Sequence, residues 1–228
     1  HRARGRTRLL DSGRRHLIVF ISQTLAYDYC TAALQVVADA VGRRPDTKLL
    51  VKLHPREPGG NHAIYRDMLN KAAPGQNWEV TGDISIEDAL LASDLVVGVY
   101  SLALIEAACL RLPVIAANLS GKRLPEPTNF GDRDCIIGAS SAAELTRLID
   151  AMLDDSAFRS EAMERQDRYF QQHAYMVDRG AMERIVRTIA EVVEGRPVSA
   201  TSLSKWHEVN GSPGTTGAID SARGLTAA

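Results

Sequence analysis

The strongest constraint on this chain is a set of short, almost wholly apolar runs separated by segments of helical periodicity. Residues 17–21 read LIVFI, 48–53 KLLVKL, 94–99 DLVVGV and 113–117 PVIAA. A strand with water on one face alternates polar and apolar residues, whereas a run apolar at nearly every position is buried on both faces. Such strands belong to parallel sheets with helices on each side. The intervening segments supply the helices. Residues 27–41 place Ala33, Leu34, Val37, Ala38 and Val41 on one face, and residues 62–73 read as a helix ended by Pro74-Gly75. A short strand is expected at 77–80, and a short helix from a Ser85/Asp88 capping box to Ala92. A helix over 102–110 and a last short strand at 134–137 follow. Ser141 with Glu144 opens a helix that turns Leu145, Leu148, Ile149, Met152 and Leu153 inward. Residues 157–172 are charged and helix-prone, and 178–194 repeat an amphipathic pattern through Met182, Ile185, Val186, Ile189 and Val193. The expected fold is α/β: a Rossmann-like parallel sheet with helices on both faces, then C-terminal helices and a flexible tail. The boundaries read as a basic arm or linker over 1–16, a Rossmann-like domain over 17–195, and a tail over 196–228, where Ser, Thr, Gly and Pro replace periodicity.

Composition narrows the function classes. The 228 residues, 45% hydrophobic and 24% charged, suit one large α/β domain, and 5% aromatics make its core aliphatic. Cys30, Cys109 and Cys135 are too few and scattered for a disulfide framework or a zinc site, and read as thiols of a reducing compartment. No apolar run approaches the roughly 20 residues of a membrane span, and no signal-peptide pattern follows the basic start. The first residue is His rather than Met, from which a fragment or processed product is expected. The net charge of −1 hides an asymmetry: residues 1–16 hold six arginines against Asp11 alone. This arm is either a solvated linker or an attachment to an anionic membrane surface or polymer. Nucleic acid is not expected as a partner, because no interleaved aromatics or reader motif accompany the arginines. The expected location is cytoplasmic, peripheral to the inner membrane face if the arm binds lipid.

In a parallel sheet all strand ends of one kind lie along one edge, and ligands bind beyond the carboxyl ends. The loops at that edge are polar. Ser22-Gln23-Thr24 follows the first strand, His54-Pro55-Arg56-Glu57 the second, Thr81-Gly82-Asp83 the third and Tyr100-Ser101 the fourth. A short polar residue such as Ser101 at a strand-to-helix turn leaves backbone N–H groups and the positive helix end facing an anion. Glu106, five residues on, is placed to accept from a ribose diol. The plainer alternative makes Ser101 an N-cap and Glu106 a surface carboxylate. His54 is fixed in direction by Pro55. It is either a structural histidine or a donor to a phosphate oxygen that stabilises the leaving group. Arg56 adds positive charge unless Glu57 neutralises it. Ser22, Gln23 and Thr24 are candidates for phosphate or sugar. Gly82 allows close approach of a base, and Lys122 and Arg123 are either diphosphate partners or surface charges. No P-loop, GxGxxG fingerprint, HExxH or Ser-His-Asp order is present, which argues against ATPases, dehydrogenases, zinc proteases and triad hydrolases.

Two segments carry a family resemblance. Val51-Lys52-Leu53-His54-Pro55-Arg56 resembles the strand-plus-His-Pro motif of bacterial sialyltransferases, capsule-polymer transferases and teichoic-acid glycerophosphotransferases. The run from Ala92-Ser93-Asp94 through Tyr100-Ser101 to Glu106-Ala107, then Leu112-Pro113-Val114-Ile115, resembles a signature of GT-B glycosyltransferases: aspartate, strand, Ser/Thr, four residues, Glu-Ala, and a P-V-I strand. The resemblance spans residues 17–195 and is to the C-terminal, donor-binding domain. It implies His54 as the catalytic contact to the donor phosphates, Ser101 near the phosphate, Glu106 on the ribose and the Gly82-Asp83 loop near the base. Ser22, Gln23, Arg56 and Tyr100, read from their places in the same loops, complete the candidate donor site. It implies a CMP-, CDP- or UDP-linked donor, no cofactor and no metal. It also implies an N-terminal acceptor domain, or a partner chain, to complete the enzyme. Two positions depart from the pattern. Tyr100-Ser101 stands where many relatives have Ser-Ser, Ser-Thr or Ser-Gly, and Arg111 stands where glycine is frequent. A nucleotide-sugar 2-epimerase-like domain and a non-catalytic nucleotide-binding or assembly module remain as alternatives.

Overall fold

A computed structural model of the chain describes residues 9–10, 13–24, 27–75, 77–122, 136–172 and 180–197. In chain order the elements are β1 (His16–Ile21), α1 (Tyr27–Gly42), β2 (Thr47–Lys52), α2 (Gly59–Ala72), β3 (Trp78–Thr81), α3 (Ile86–Ala92), β4 (Leu95–Gly98), α4 (Leu102–Cys109), β5 (Val114–Ala117), β6 (Ile137–Ala139), α5 (Ala142–Asp154), α6 (Ser156–Gln172) and α7 (Ala181–Val193). The strands form one sheet in the order β3-β2-β1-β4-β5-β6, and every pairing is parallel. This is the α/β architecture the apolar runs require. β1 lies between β2 and β4, so the chain reverses its winding direction there. That switch point is where ligand clefts open in such sheets.

Burial follows strand alternation. Ile18, Phe20, Leu49, Val51, Leu95, Val97 and Ile115 join a core with the inward faces of α1, α2 and α5, among them Leu34, Val37, Tyr65, Leu69, Leu148 and Ile149. The opposite face of the sheet is covered by α3 against β1 and by α4 against β4 and β5. Close packing of α4 depends on Gly98: a Cβ there would stand 3.1 Å from Leu104 Cδ2 and 3.4 Å from the Ile21 carbonyl. At the other end of the sheet Asp94, the aspartate of the resemblance motif, accepts the Leu17 N–H through its carboxylate (2.9 Å) while its own N–H bonds the Leu17 carbonyl. It therefore sets the register of β4 on β1.

Both expected caps form. Ser85 Oγ accepts from Asp88 N (3.0 Å) and Ser141 Oγ from Glu144 N (3.2 Å). The Glu144 carboxylate reaches back to Ser140 rather than to Ser141, taking its N–H at 2.9 Å and its hydroxyl at 3.0 Å. Those bonds hold Glu144 below the usual carboxylate range. The two ends that bear on the site and the sheet edge differ from expectation, beside shifts of one to three residues elsewhere. α2 begins at Gly59, because extended Pro58 at its N-cap starts the helix ahead of His62. The last strand begins at Ile137, where pairing with Ile115 starts, while 134 and 135 lie outside the described residues. Arg111 has φ +58°, the left-handed conformation that favours glycine at a helix C-terminus. Its guanidinium meets Asp167 at 3.0 Å.

Arg44 ties the start of β2 to α5, donating to Asp150 (2.8 Å) and to Asp154. The ion pair with Arg44 holds Asp154 below its ordinary range. A carboxylate depressed on folding gives stability that is present at neutral pH and is lost as pH falls through the folded value. Arg44→Ala is expected to cost about 1 kcal/mol at pH 7, the scale of a good partly exposed pair. It should also flatten the acid limb of stability below about pH 4, where free carboxylates titrate. Urea midpoints measured across that range test both effects.

The chain divides into two compact units, His1–Gln171 and Gln172–Ala228. In the second, α7 exposes Met182, Ile185, Val186, Ile189, Val192 and Val193. No described helix is long and apolar enough to cross a membrane. Residues 1–8 and 11–12 of the arm, and 198–228 of the tail, lie outside the described residues.

Candidate functional site

A cavity of about 340 Å³ opens at the carboxyl ends of the central strands. That volume falls within the roughly 300–1,000 Å³ of small-molecule sites. Ile21 and Ser22 at the end of β1, Lys52 to Pro55 at the end of β2, Gly82, Ile84, Ser85 and Ile86 beyond β3, and Ser101, Leu102, Ala103 and Glu106 at the start of α4 contribute to its wall. Of the candidate residues, Ser22, His54, Gly82, Ser101 and Glu106 are brought together here. Gln23, Arg56 and Tyr100 do not line the cavity.

The His-Pro loop is held by a residue outside the candidate set. Glu57 follows the turn in which its N–H bonds the His54 carbonyl (3.0 Å). One carboxylate oxygen accepts from Tyr65 Oη (2.7 Å) and Asn61 Nδ2 (3.1 Å), both on α2. The other accepts from the Ser22 hydroxyl and from His54 N (3.2 Å). Glu57 thus joins the ends of β1 and β2 to α2. Ser22 is fully buried; its hydroxyl donates to Glu57 and accepts from His54 N (3.1 Å), so it builds the cavity floor. The alternative in which Glu57 neutralises Arg56 gives way to this clamp, and Arg56 stands exposed.

His54 presents a defined nitrogen. Its Nδ1 accepts the backbone N–H of Arg56 at 3.1 Å. A backbone N–H only donates, so Nδ1 is the bare nitrogen and the neutral ring carries its proton on Nε2. Nε2 has no partner among the described residues, which leaves an N–H donor at the cavity wall.

The turn into α4 divides its donors. Ser101 is the N-cap, and its Oγ accepts from Ala103 N at 3.3 Å. The Gln23 amide, buried and with its oxygen toward the turn, accepts from Tyr100 N (2.8 Å) and Ser101 N (3.1 Å). Gln23 therefore braces the turn from behind, and Leu102 N–H is left as the first helical donor with no carbonyl four residues back. Tyr100 packs its ring against the main core, and burial raises its hydroxyl above the ordinary range. Glu106 is exposed on α4, and its carboxylate has no partner among the described residues. Cys30, fully buried beneath this edge, is pushed up to about 12 by burial and is no nucleophile at neutral pH. Lys122 is exposed and away from the cavity, and Arg123 lies outside the described residues.

Lys52 is the cavity residue that the sequence reading passed over. It ends β2, is 5% exposed, and its ammonium donates to the Leu53 carbonyl (2.7 Å) and toward that of Gly82 (3.4 Å). The one available signal was a lysine in a strand otherwise apolar up to the His-Pro turn.

No family model and no curated protein sequence matches the chain. Solved structures do. A Listeria monocytogenes protein designated a UDP-N-acetylglucosamine 2-epimerase is 16% identical with a TM-score of 0.58, covering 82% of this chain and 47% of its own. The wall teichoic acid polymerase TagF, soaked with CDPG, is 13% identical with a TM-score of 0.57, covering 85% of this chain and 46% of its own. The C-terminal CMP-Kdo binding domain of WaaA from Acinetobacter baumannii is 12% identical with a TM-score of 0.51, covering 75% of this chain and 96% of its own. The chain spans about half the length of the first two and nearly all of the isolated WaaA domain. At these identities the likeness is one of fold alone, a Rossmann-like α/β domain.

Proposed function

We propose that this chain is the donor-binding part of a GT-B-type glycosyltransferase. Its donor is a CMP-, CDP- or UDP-linked glycosyl or glycerophosphoryl group used in bacterial surface-polysaccharide or glycolipid assembly. The observation that carries this reading is the meeting, in one cavity at the sheet's switch point, of the His54 Nε2–H, the free end of α4 and the unpaired Glu106 carboxylate. The first two are donors suited to phosphate oxygens; the third is an acceptor suited to a ribose diol. The donor's bond to its nucleotide phosphate breaks, the acceptor hydroxyl takes the transferred group, and the nucleotide leaves with the bond electrons on a phosphate oxygen. His54 donates to that oxygen as charge develops, and the α4 N-terminus adds its partial positive charge. The base that accepts the hydroxyl proton comes from an acceptor domain or partner chain. The arginine-rich arm serves attachment to an anionic membrane surface on the cytoplasmic side.

Titration calorimetry of the chain with CMP, CDP, UDP and GDP, without metal and then with magnesium, tests the reading. One nucleotide is expected to bind selectively. His54→Ala is expected to weaken it at least tenfold, about the 1.5–3 kcal/mol of a hydrogen bond to a charged group. No binding by any of the four, from chain shown to be folded, overturns it. The epimerase-like reading is favoured by one observation, the likeness in fold to the Listeria protein. It predicts UDP binding without transfer to any acceptor once the remaining half is supplied.

A further inference from the structure

Two lysines share one face of β2, and their surroundings differ. Lys48 and Lys52 are four residues apart, so their side chains project to the same side of the sheet, away from the core that holds Leu49 and Val51. Both are nearly buried, at 6% and 5% exposure. At the closed end of the strand, Lys48 Nζ is paired with the Glu79 carboxylate at 3.3 Å. At the cavity end, Lys52 Nζ has only the carbonyls of Leu53 and Gly82. No carboxylate stands within 4.0 Å of it among the described residues. Asp83 acts on it only at longer range, and Glu106 on the same cavity wall makes no ion pair with it. An ammonium has three protons to donate, and the two carbonyls account for two.

A buried cation without a counter-ion is costly, and burial lowers the Lys52 ammonium below the ordinary lysine range. The strand tolerates this at the one place where its side chain meets a ligand-sized cavity. Apolar residues fill the neighbouring positions of β1 and β2 facing the same way, Ile21 and Leu50, and a methionine would fit there without the penalty. Such a locally unfavourable group at a cleft marks a site whose missing partner is the ligand.

We propose that Lys52 is an anion-binding residue of this site, its ammonium contacting the phosphate groups of the bound nucleotide. The proposal rests on the nucleotide reading above and adds to it the source of positive charge. Arg56 and Lys122 lie outside the cavity, so Lys52 supplies from beneath the charge that these exposed residues do not. As a compact point charge on carbonyl dipoles it neutralises phosphate without the bidentate geometry an arginine imposes.

The test uses the 228-residue chain carrying Lys52→Met or Lys52→Arg. Calorimetry measures binding of inorganic pyrophosphate, CMP, CDP, UDP, cytidine and uridine, and thermal unfolding is followed without ligand. The methionine variant is expected to melt at the same or a higher temperature. It should lose at least tenfold in affinity for pyrophosphate and for whichever diphosphate binds, leave nucleoside binding unchanged, and show a shallower salt dependence. The arginine variant should retain most of the affinity. Unchanged diphosphate binding in Lys52→Met overturns the assignment and leaves the nucleotide reading standing. A lowered melting temperature in Lys52→Met overturns it too, since it makes the ammonium a staple of the Gly82 loop. Wild-type binding of pyrophosphate without any nucleotide, lost in Lys52→Met, supports Lys52 while removing the nucleotide reading. Wild-type chain that binds none of the six removes both.

Discussion

Glu57→Leu is expected to lower the stability of the chain by about 3 kcal/mol, the scale of leaving buried donors unsatisfied. Four donors converge on that carboxylate, from Ser22, His54, Asn61 and Tyr65. Tyr65 is fully buried, so its hydroxyl finds no water when the acceptor is removed. The leucine fills the volume and removes the acceptor that these donors share, while His54 N keeps its bond to Ser22 Oγ. A shift in urea midpoint at constant slope reads the loss. Tyr65→Phe in the Glu57→Leu background should restore part of it, because the phenylalanine deletes one of the buried donors aimed at the lost carboxylate. A double-mutant cycle between the two positions is expected to show coupling of at least about 1 kcal/mol. Two additive single effects would mean that Glu57 does not act as the common acceptor. Nucleotide affinity should fall along with stability, since the same carboxylate orients the His54 peptide.

Glu106→Ala should separate function from stability. The side chain is exposed and has no partner among the described residues, so the melting temperature should not move. A carboxylate that accepts from a ribose diol contributes about 1–3 kcal/mol, so nucleotide affinity should fall roughly ten- to hundredfold. Binding of inorganic pyrophosphate, which has no ribose, should be untouched. An equal loss for both probes would move Glu106 away from the sugar, and no loss for either would favour the non-catalytic module.

The sheet was legible because burial on both faces leaves a plain record. Apolar runs such as 17–21 and 113–117 admit few architectures, and the Ser85 and Ser141 caps are local signals that need no tertiary context. The convergence of His54, Ser101 and Glu106 followed from topology alone, because parallel strands bring their carboxyl ends to one edge. Roles decided by side-chain direction were not legible. Gln23 and Tyr100 sit in the right loops, yet Gln23 turns its amide onto the backbone behind α4 and Tyr100 packs into the core. Glu57 beside Arg56 suggested a local ion pair, but four donors from three elements outcompete an exposed guanidinium. Lys52 reads as a mild defect in an apolar strand until the position of the Gly82 carbonyl is known.

The place of β1 has a consequence for synthesis. It is the first strand of this sheet in chain order, yet it lies inside the sheet, with β2 on one edge and β4 on the other. β2 arrives soon, whereas β4 begins at Leu95, more than 70 residues after β1 ends at Ile21. Over that stretch a chain emerging from the ribosome carries an apolar strand with one edge unpaired, a template for pairing with other chains. Asp94, whose carboxylate and N–H both engage Leu17, closes that edge in register as soon as it emerges. The exposure of β1 therefore ends with β4 and α4, the same segment that completes the cavity, so closing that strand's edge and assembling the binding edge are one event in synthesis.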